Sequence, residues 1–181
     1  MLRHLGWAHV RPAIGISAIF FVLLGLLYPL AETGIGQALF SHQASGSLTA
    51  NGSTLVGQSW TSPRWFAGRP DADNPMATGG TNLGPRSKTL VTDTKQVIAK
   101  LRREGITPTA DLVTTSGSGV DPDISPADAY AQASTVAKAR GLAAARVRAL
   151  VAGQVTRPQF GFLGAPYVDV LQLNEALAGL R

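Results

Sequence analysis

The sequence predicts a single N-terminal transmembrane helix followed by one mixed α/β (α+β) extracytoplasmic domain. Three observations lead there. A charge-free apolar block lies close to the start of the chain. Basic residues flank that block on its N-terminal side only. The remaining residues alternate between helix-like and strand-like patterns, with the turn residues of an ordinary globular domain between them. At 181 residues the chain has room for one domain and an appendage.

The apolar block runs from Ala13 to Leu30, 18 residues with no charge and with Ser17 as its clearly polar side chain. As a helix it extends roughly 27 Å, close to the hydrocarbon thickness of a bilayer. Lipid cannot satisfy loose backbone groups, so such a segment has to be helical. Pro12 suits the first helical turn, and Pro29 is placed to end or kink the span. Trp7 and Tyr28 stand near its two ends, where interfacial aromatics are favoured. A cleaved signal peptide is the rival reading. The run exceeds the usual apolar stretch of about 7–15 residues, and the small pair Gly36 and Ala38 lies beyond the apolar core, so an uncleaved anchor is expected.

Arg3, Arg11 and the α-amino group precede the span, whereas Glu32 is the first charge after it and Arg64 the first Lys or Arg. The positive-inside rule then puts the N-terminus in the cytoplasm and the rest of the chain outside. The expected organisation is a cytoplasmic tail (1–11), a span (12–32), a Gly/Ser/Ala/Gln-rich linker (33–52) with a helical extension through Phe40, and an extracytoplasmic domain (53–181). The expected location is a membrane crossed once, in contact with its lipid.

Within the domain, β-branched residues predict a strand over Ser53–Trp60, then a long loop over Pro63–Pro85. Leu90, Val97, Ile98 and Leu101 mark one face of a helix over Ser87–Arg103, with Gly105 as its stop. Asp111–Ser116 is a short strand candidate. Ser125, Pro126 and Asp128 supply a cap, a first-turn proline and a capping-box acid for the next helix. That helix buries Ala129, Ala133, Val136 and Ala137 and stops at Arg140-Gly141. A shorter helix covers Ala143–Ala152. Tyr167–Leu173 alternates like a strand, and Asn174–Leu180 closes the chain as a helical turn or two.

The chemistry is bounded by what is missing. There is no cysteine, and His4, His9 and His42 all precede the domain, so neither a Ser-His nor a Cys-His mechanism has its parts there. Removing Arg3 and Arg11 from the 16 basic residues leaves 14 against 11 acidic ones. They are interspersed, with no basic stripe, so no nucleic-acid partner is expected. No catalytic residue and no metal site is expected.

The stretch "SGSGVDPDISPADA" (Ser116–Ala129) is compatible with a phosphate cradle, a cation site, a partner contact or a braced turn. It lacks the lysine of a P-loop, and its aspartates oppose phosphate. Asp121 and Asp123 alone are too few oxygen ligands for Ca²⁺ or Mg²⁺. An Asp-rich turn before the Ser125 helix is the favoured reading, with Ser116, Gly117, Ser118, Gly119, Asp121 and Asp123 structural or facing a partner. "TGGTN" (Thr78, Gly79, Gly80, Thr81, Asn82) could offer backbone N–H groups to an anion, against the plainer reading of an exposed turn.

Taken in order, "LVGQ" (Leu55–Gln58), "WFAGRPDA" (Trp65–Ala72, with Arg69), "TGGTNLGP" (Thr78–Pro85), "TSGSGVDPDISPADA" (Thr115–Ala129), "VAKARGL" (Val136–Leu142) and "YVDVLQLNEAL" (Tyr167–Leu177) resemble the C subunit family of the bacterial Kdp potassium-transporting ATPase. The resemblance runs over nearly the whole chain. It departs from the family's motifs at Thr78 and Thr81 (Ser), Val120 (Leu), Asp123 (His), Tyr167 (Arg) and Asp169 (Asn).

The resemblance implies a non-catalytic accessory subunit of an ATP-driven potassium importer in the cytoplasmic (inner) membrane of a bacterium. Its partners would be the potassium-binding A subunit and the ATP-hydrolysing B subunit. It also implies a catalytic chaperone that raises the ATP affinity of the B subunit, with residues matching Thr78-Gly79-Gly80 proposed to touch ATP. No cofactor would be bound by the chain alone; ATP enters through the complex. The charge-derived orientation puts Thr78 outside, away from cytosolic ATP, and favours a mechanical role over direct contact. The alternative from another class is a membrane-anchored extracytoplasmic metal-dependent enzyme built on Asp121 and Asp123.

Overall fold

The computed structural model describes residues 7–70 and 78–180. The tail residues 1–6 with Arg3 and His4, the Asp71–Met76 part of the long loop and Ala77 lie outside the described residues. The chain forms two compact units, Met1–Ser47 and Leu48–Arg181.

Among its described residues the first unit is mainly helical. Helix α1 (Trp7–Val22) leads through one π-helical turn (Leu23–Leu27) into α2 (Tyr28–Leu39), and α3 (Ser41–Ala44) follows. Pro29 does not end the helix, which runs on as α2 to Leu39. Its ring lacks the N–H that would bond the Gly25 carbonyl, and the turn before it widens so that the Tyr28 N–H donates to the Leu23 carbonyl instead. The helix continues beyond Leu30, and the 31 residues His9–Leu39 form one helix long enough to cross a membrane, with none of its most apolar window buried. Helical structure reaches into the linker as far as Leu39, where the extension to Phe40 is expected, and resumes beyond it over Ser41–Ala44.

The second unit is a mixed helix/sheet region dominated by helices. Its elements are β1 (Leu48–Thr49), β2 (Gly52–Ser53), α4 (Lys88–Arg103), α5 (Ala110–Val113), β3 (Asp123–Ile124), α6 (Pro126–Arg140), α7 (Ala144–Gly153), β4 (Val168–Asp169) and α8 (Val170–Ala178). The sheet is reduced to two antiparallel pairs, β1 with β2 and β3 with β4. In the latter Asp123 stands opposite Asp169 and Ile124 opposite Val168.

The helices start where their caps are. The Ser87 Oγ accepts from the Leu90 N–H at 3.3 Å and opens α4. Ser125 and Asp128 form a reciprocal capping box on α6, and Gly141 ends it in the left-handed conformation at φ 69°. Helix α6 buries Ala129, Ala133, Val136 and Ala137 against Val147 and Val151 of α7 and Leu173 and Leu177 of α8. Phe66 fills the centre of this core. A second cluster joins Leu101 of α4 to Ile106 and to Leu112 of α5.

Three strand expectations are corrected. In Ser53–Trp60 only Ser53 is in a strand; the chain then turns, and the Gly57 N–H bonds the Val120 carbonyl at 2.7 Å rather than a ladder partner. Asp111–Ser116 begins inside α5, because Asp111 sits in its first turn. Tyr167–Leu173 changes from strand to helix at Asp169, whose side chain accepts the Gln172 N–H at 2.7 Å and so caps α8. The Tyr–Val–Asp–Val alternation hides an N-cap at its third residue.

Candidate functional site

The segments singled out in the sequence converge on one junction. The Ser116–Asp123 loop is its centre and is braced from within. The Ser116 Oγ accepts the Gly119 N–H at 2.9 Å, the Ser118 Oγ accepts the Val120 N–H at 3.2 Å, and the two hydroxyls lie 3.2 Å apart. The Asp121 Oδ1 accepts the Asp123 N–H at 3.1 Å, an Asx turn that leads into β3.

The Thr78–Asn82 segment docks on this loop through glycine. The Gly79 N–H donates to the Ser118 carbonyl at 2.6 Å. Gly119 adopts φ 71°, and any side chain there would run into the Gly79 carbonyl. A side chain at Gly80 would press on the Gly117 carbonyl, 3.2 Å from its first carbon. The two loops approach backbone to backbone, which explains their shared glycines. The Gly79 N–H is thereby engaged inside the protein. Thr78, Thr81 and Asn82 are exposed, with Asn82 left-handed at φ 55°.

Arg69 ties the other side of the loop. Its Nε donates to the Thr114 carbonyl at 3.3 Å and its Nη2 to the Thr115 carbonyl at 3.0 Å. Its Nη1 stands 3.4 Å from the Asp121 Oδ2. One guanidinium thus clamps both ends of the Thr114–Asp121 stretch. Both oxygens of Asp121 have partners.

Arg69 is itself positioned by two residues that sequence reasoning missed. The Gln132 side-chain amide bonds both backbone groups of Ala67, accepting at 2.8 Å and donating at 3.0 Å. Asn174 does the same for Phe66, at 2.9 Å in each direction. Each amide substitutes for a missing neighbouring strand. A signal for both exists in the sequence. Gln132 falls on the apolar face of Ala129, Ala133 and Val136, and Asn174 on that of Val170 and Leu177. A polar residue on such a stripe is buried and needs a partner.

The acidic residues crowd on the far edge. Asp123 and Asp169 face one another across the β3–β4 pair. Burial, then the Asp169 charge, then the Asp121 charge push the Asp123 carboxyl up to about 6. Burial also raises Asp169, against the hydrogen bonds of its helix cap. Both positions are departures from the family's motifs, and the structure makes them neighbours. Among the described residues no group of three His, Cys, Asp or Glu side chains is arranged to hold a metal ion.

A cavity of about 250 Å³ opens beside the junction, lined by Trp60, Arg69, Val97, Lys100 and Glu104 among others. Trp60 packs on Trp65 at 5.5 Å between ring centroids, and the Arg140 guanidinium lies 4.9 Å over the Trp65 ring.

Comparison with known proteins places these motifs in context. The family described as K+-transporting ATPase, c chain (KdpC) matches residues 10–179. The chain is 49% identical to the potassium-transporting ATPase KdpC subunit of Caulobacter vibrioides (strain NA1000 / CB15N), over 94% of this chain and 92% of that protein. It is 47% identical to the subunit of the same name from Sorangium cellulosum, over 96% of this chain and 99% of that protein. For the one from Allorhizobium ampelinum the figures are 46%, 94% and 95%.

Proposed function

Since the chain belongs to the KdpC family, the c chain of K+-transporting ATPases, we propose that it is a single-pass accessory subunit of a potassium-importing ATPase complex and performs no hydrolysis itself. The observation that carries this reading is the collinear match over nearly the whole chain to proteins bearing the name of one subunit. Its partners in this reading are the ATP-hydrolysing B subunit and the potassium-binding A subunit.

The helix within His9–Leu39 serves as the membrane anchor; its length and its unburied apolar window support this. The charges that flank it support a cytoplasmic N-terminus and an extracytoplasmic domain. A domain on that side influences ATP affinity through the span and the B subunit, as the catalytic-chaperone role requires, rather than by touching nucleotide. The engaged Gly79 N–H supports this mechanical reading over a phosphate cradle at Thr78–Asn82. The metal-enzyme alternative is not favoured, since both Asp121 oxygens have protein partners.

The test is co-purification. Tagged chain extracted from membranes in mild detergent brings down two larger membrane proteins, and the tagged chain alone hydrolyses no ATP. Deleting it abolishes growth when potassium is limiting. Normal growth at limiting potassium without the chain would remove the reading.

A further inference from the structure

Resting on that reading, we propose that the hairpin Thr156–Tyr167 is an aromatic anchor, through which the domain docks into an uncharged, apolar pocket on another chain of the same ATPase complex. The hairpin is ordered by the Thr156–Tyr167 pair, with N–H to carbonyl distances of 2.8 and 3.1 Å, and by the Gln159–Leu163 pair, at 3.0 and 2.9 Å. At its tip Phe160 is 80% exposed, Phe162 76% and Leu163 50%. Phe160, Phe162 and Tyr167 are the exposed aromatics of the domain among its described residues.

Three features select the occupant. First, Phe160 is held at φ 54°, a region that bulky residues seldom occupy. Together with the four ladder bonds, this fixes the tip before any partner arrives, so little ordering entropy is lost on docking. A fluid lipid surface needs no such preorganisation, whereas a shaped pocket rewards it. Second, Pro158–Pro166 contains no charged residue, so the receiving surface must be apolar and uncharged to match. Third, two phenylalanines and a leucine expose on the order of 400 Å². A patch of that size marks an interaction site, yet it is only about half of one side of a standard interface. It therefore acts as a hot-spot anchor within a larger contact, as rigid buried aromatics do elsewhere.

The experiment uses the complex purified from membranes, with Phe162 replaced by the photoreactive aromatic p-benzoylphenylalanine, and the same replacement at exposed Arg103 as a control. Light is expected to join the chain to another subunit from position 162 and not from position 103. The variant Phe160→Ser/Phe162→Ser is expected to keep the wild-type melting temperature while recovery of the other subunits falls about tenfold or more. Crosslinking from 162 to lipid only, to nothing, or no more than from 103, in a complex that still co-purifies, overturns the anchor alone. A wild-type chain that co-purifies with no other protein overturns both the anchor and the proposed function.

Discussion

The side chain of Asn174, in helix α8, holds the backbone N–H and carbonyl of the fully buried Phe66, both at 2.9 Å. Gln132 repeats the arrangement on Ala67. Two helices thereby grip a segment that has no ladder of its own and present Arg69 to the Thr114–Asp121 loop. Asn174→Ala leaves both Phe66 backbone groups buried without a partner. The expected loss is about 2–4 kcal/mol, roughly 1–2 per orphaned group. Gln132→Ala is expected to lose a similar amount. Denaturant titration of the full chain in detergent measures both.

The loop junction makes a sharper prediction. Gly119→Ala forces a side chain at φ 71° into the Gly79 carbonyl. The conformational penalty alone is about 1–2 kcal/mol, and the collision adds to it. Gly117→Ala has open space within 4 Å and is expected to be nearly neutral. The contrast is read as a difference in melting temperature and in recovery of assembled complex. Equal behaviour of the two variants would show that the junction is not close-packed.

Arg69 acts through geometry more than charge. Its ion pair with Asp121 is partly exposed, with side chains 19% and 29% accessible, so the charge term is worth at most about 1 kcal/mol. The bonds to the Thr114 and Thr115 carbonyls need the fork of a guanidinium. Arg69→Lys keeps the charge and loses the fork, so it is expected to recover less than half of the stability lost in Arg69→Ala. Thermal melts of the three proteins decide it.

Stability should depend on pH through Asp123. Its carboxyl is raised from 3.8 to about 6 in the folded domain. Between those values the folded state holds a proton that the unfolded chain has released, so stability rises as pH falls through about 6. Asp169 and Asp128 are also raised, chiefly by burial, and act in the same direction. The domain is therefore expected to be more stable near pH 5 than near pH 8. Asp123→Asn is expected to stabilise it at pH 8 and to flatten the profile. Denaturation midpoints across that range give the readout.

What was legible in the sequence was whatever local chemistry determines. Ser87, the Ser125-Pro126-Asp128 box and Gly141 each stand where a helix starts or stops, because a cap depends on residues within one turn. The strands were misread because pairing is not local. Gly57 bonds Val120, 63 positions away in sequence, and Asp169 caps a helix where its neighbours read as a strand. The loops around Gly79 and Gly119 stood out by composition, but their contact did not, since nothing in either stretch encodes the other's position. Gln132 and Asn174 were visible as polar residues on apolar faces; only the fold reveals that Phe66 and Ala67 are what they hold.

The most direct test of the central claim is the side of the membrane on which the domain stands. Two reporters fused separately to Arg181 measure it, one active only outside the cytoplasm and one fluorescent only inside. Activity of the first with a dark second is expected for an outward-facing accessory subunit. A bright cytoplasmic reporter with an inactive outer one would contradict the account and return the Thr78–Asn82 loop to the compartment that holds ATP.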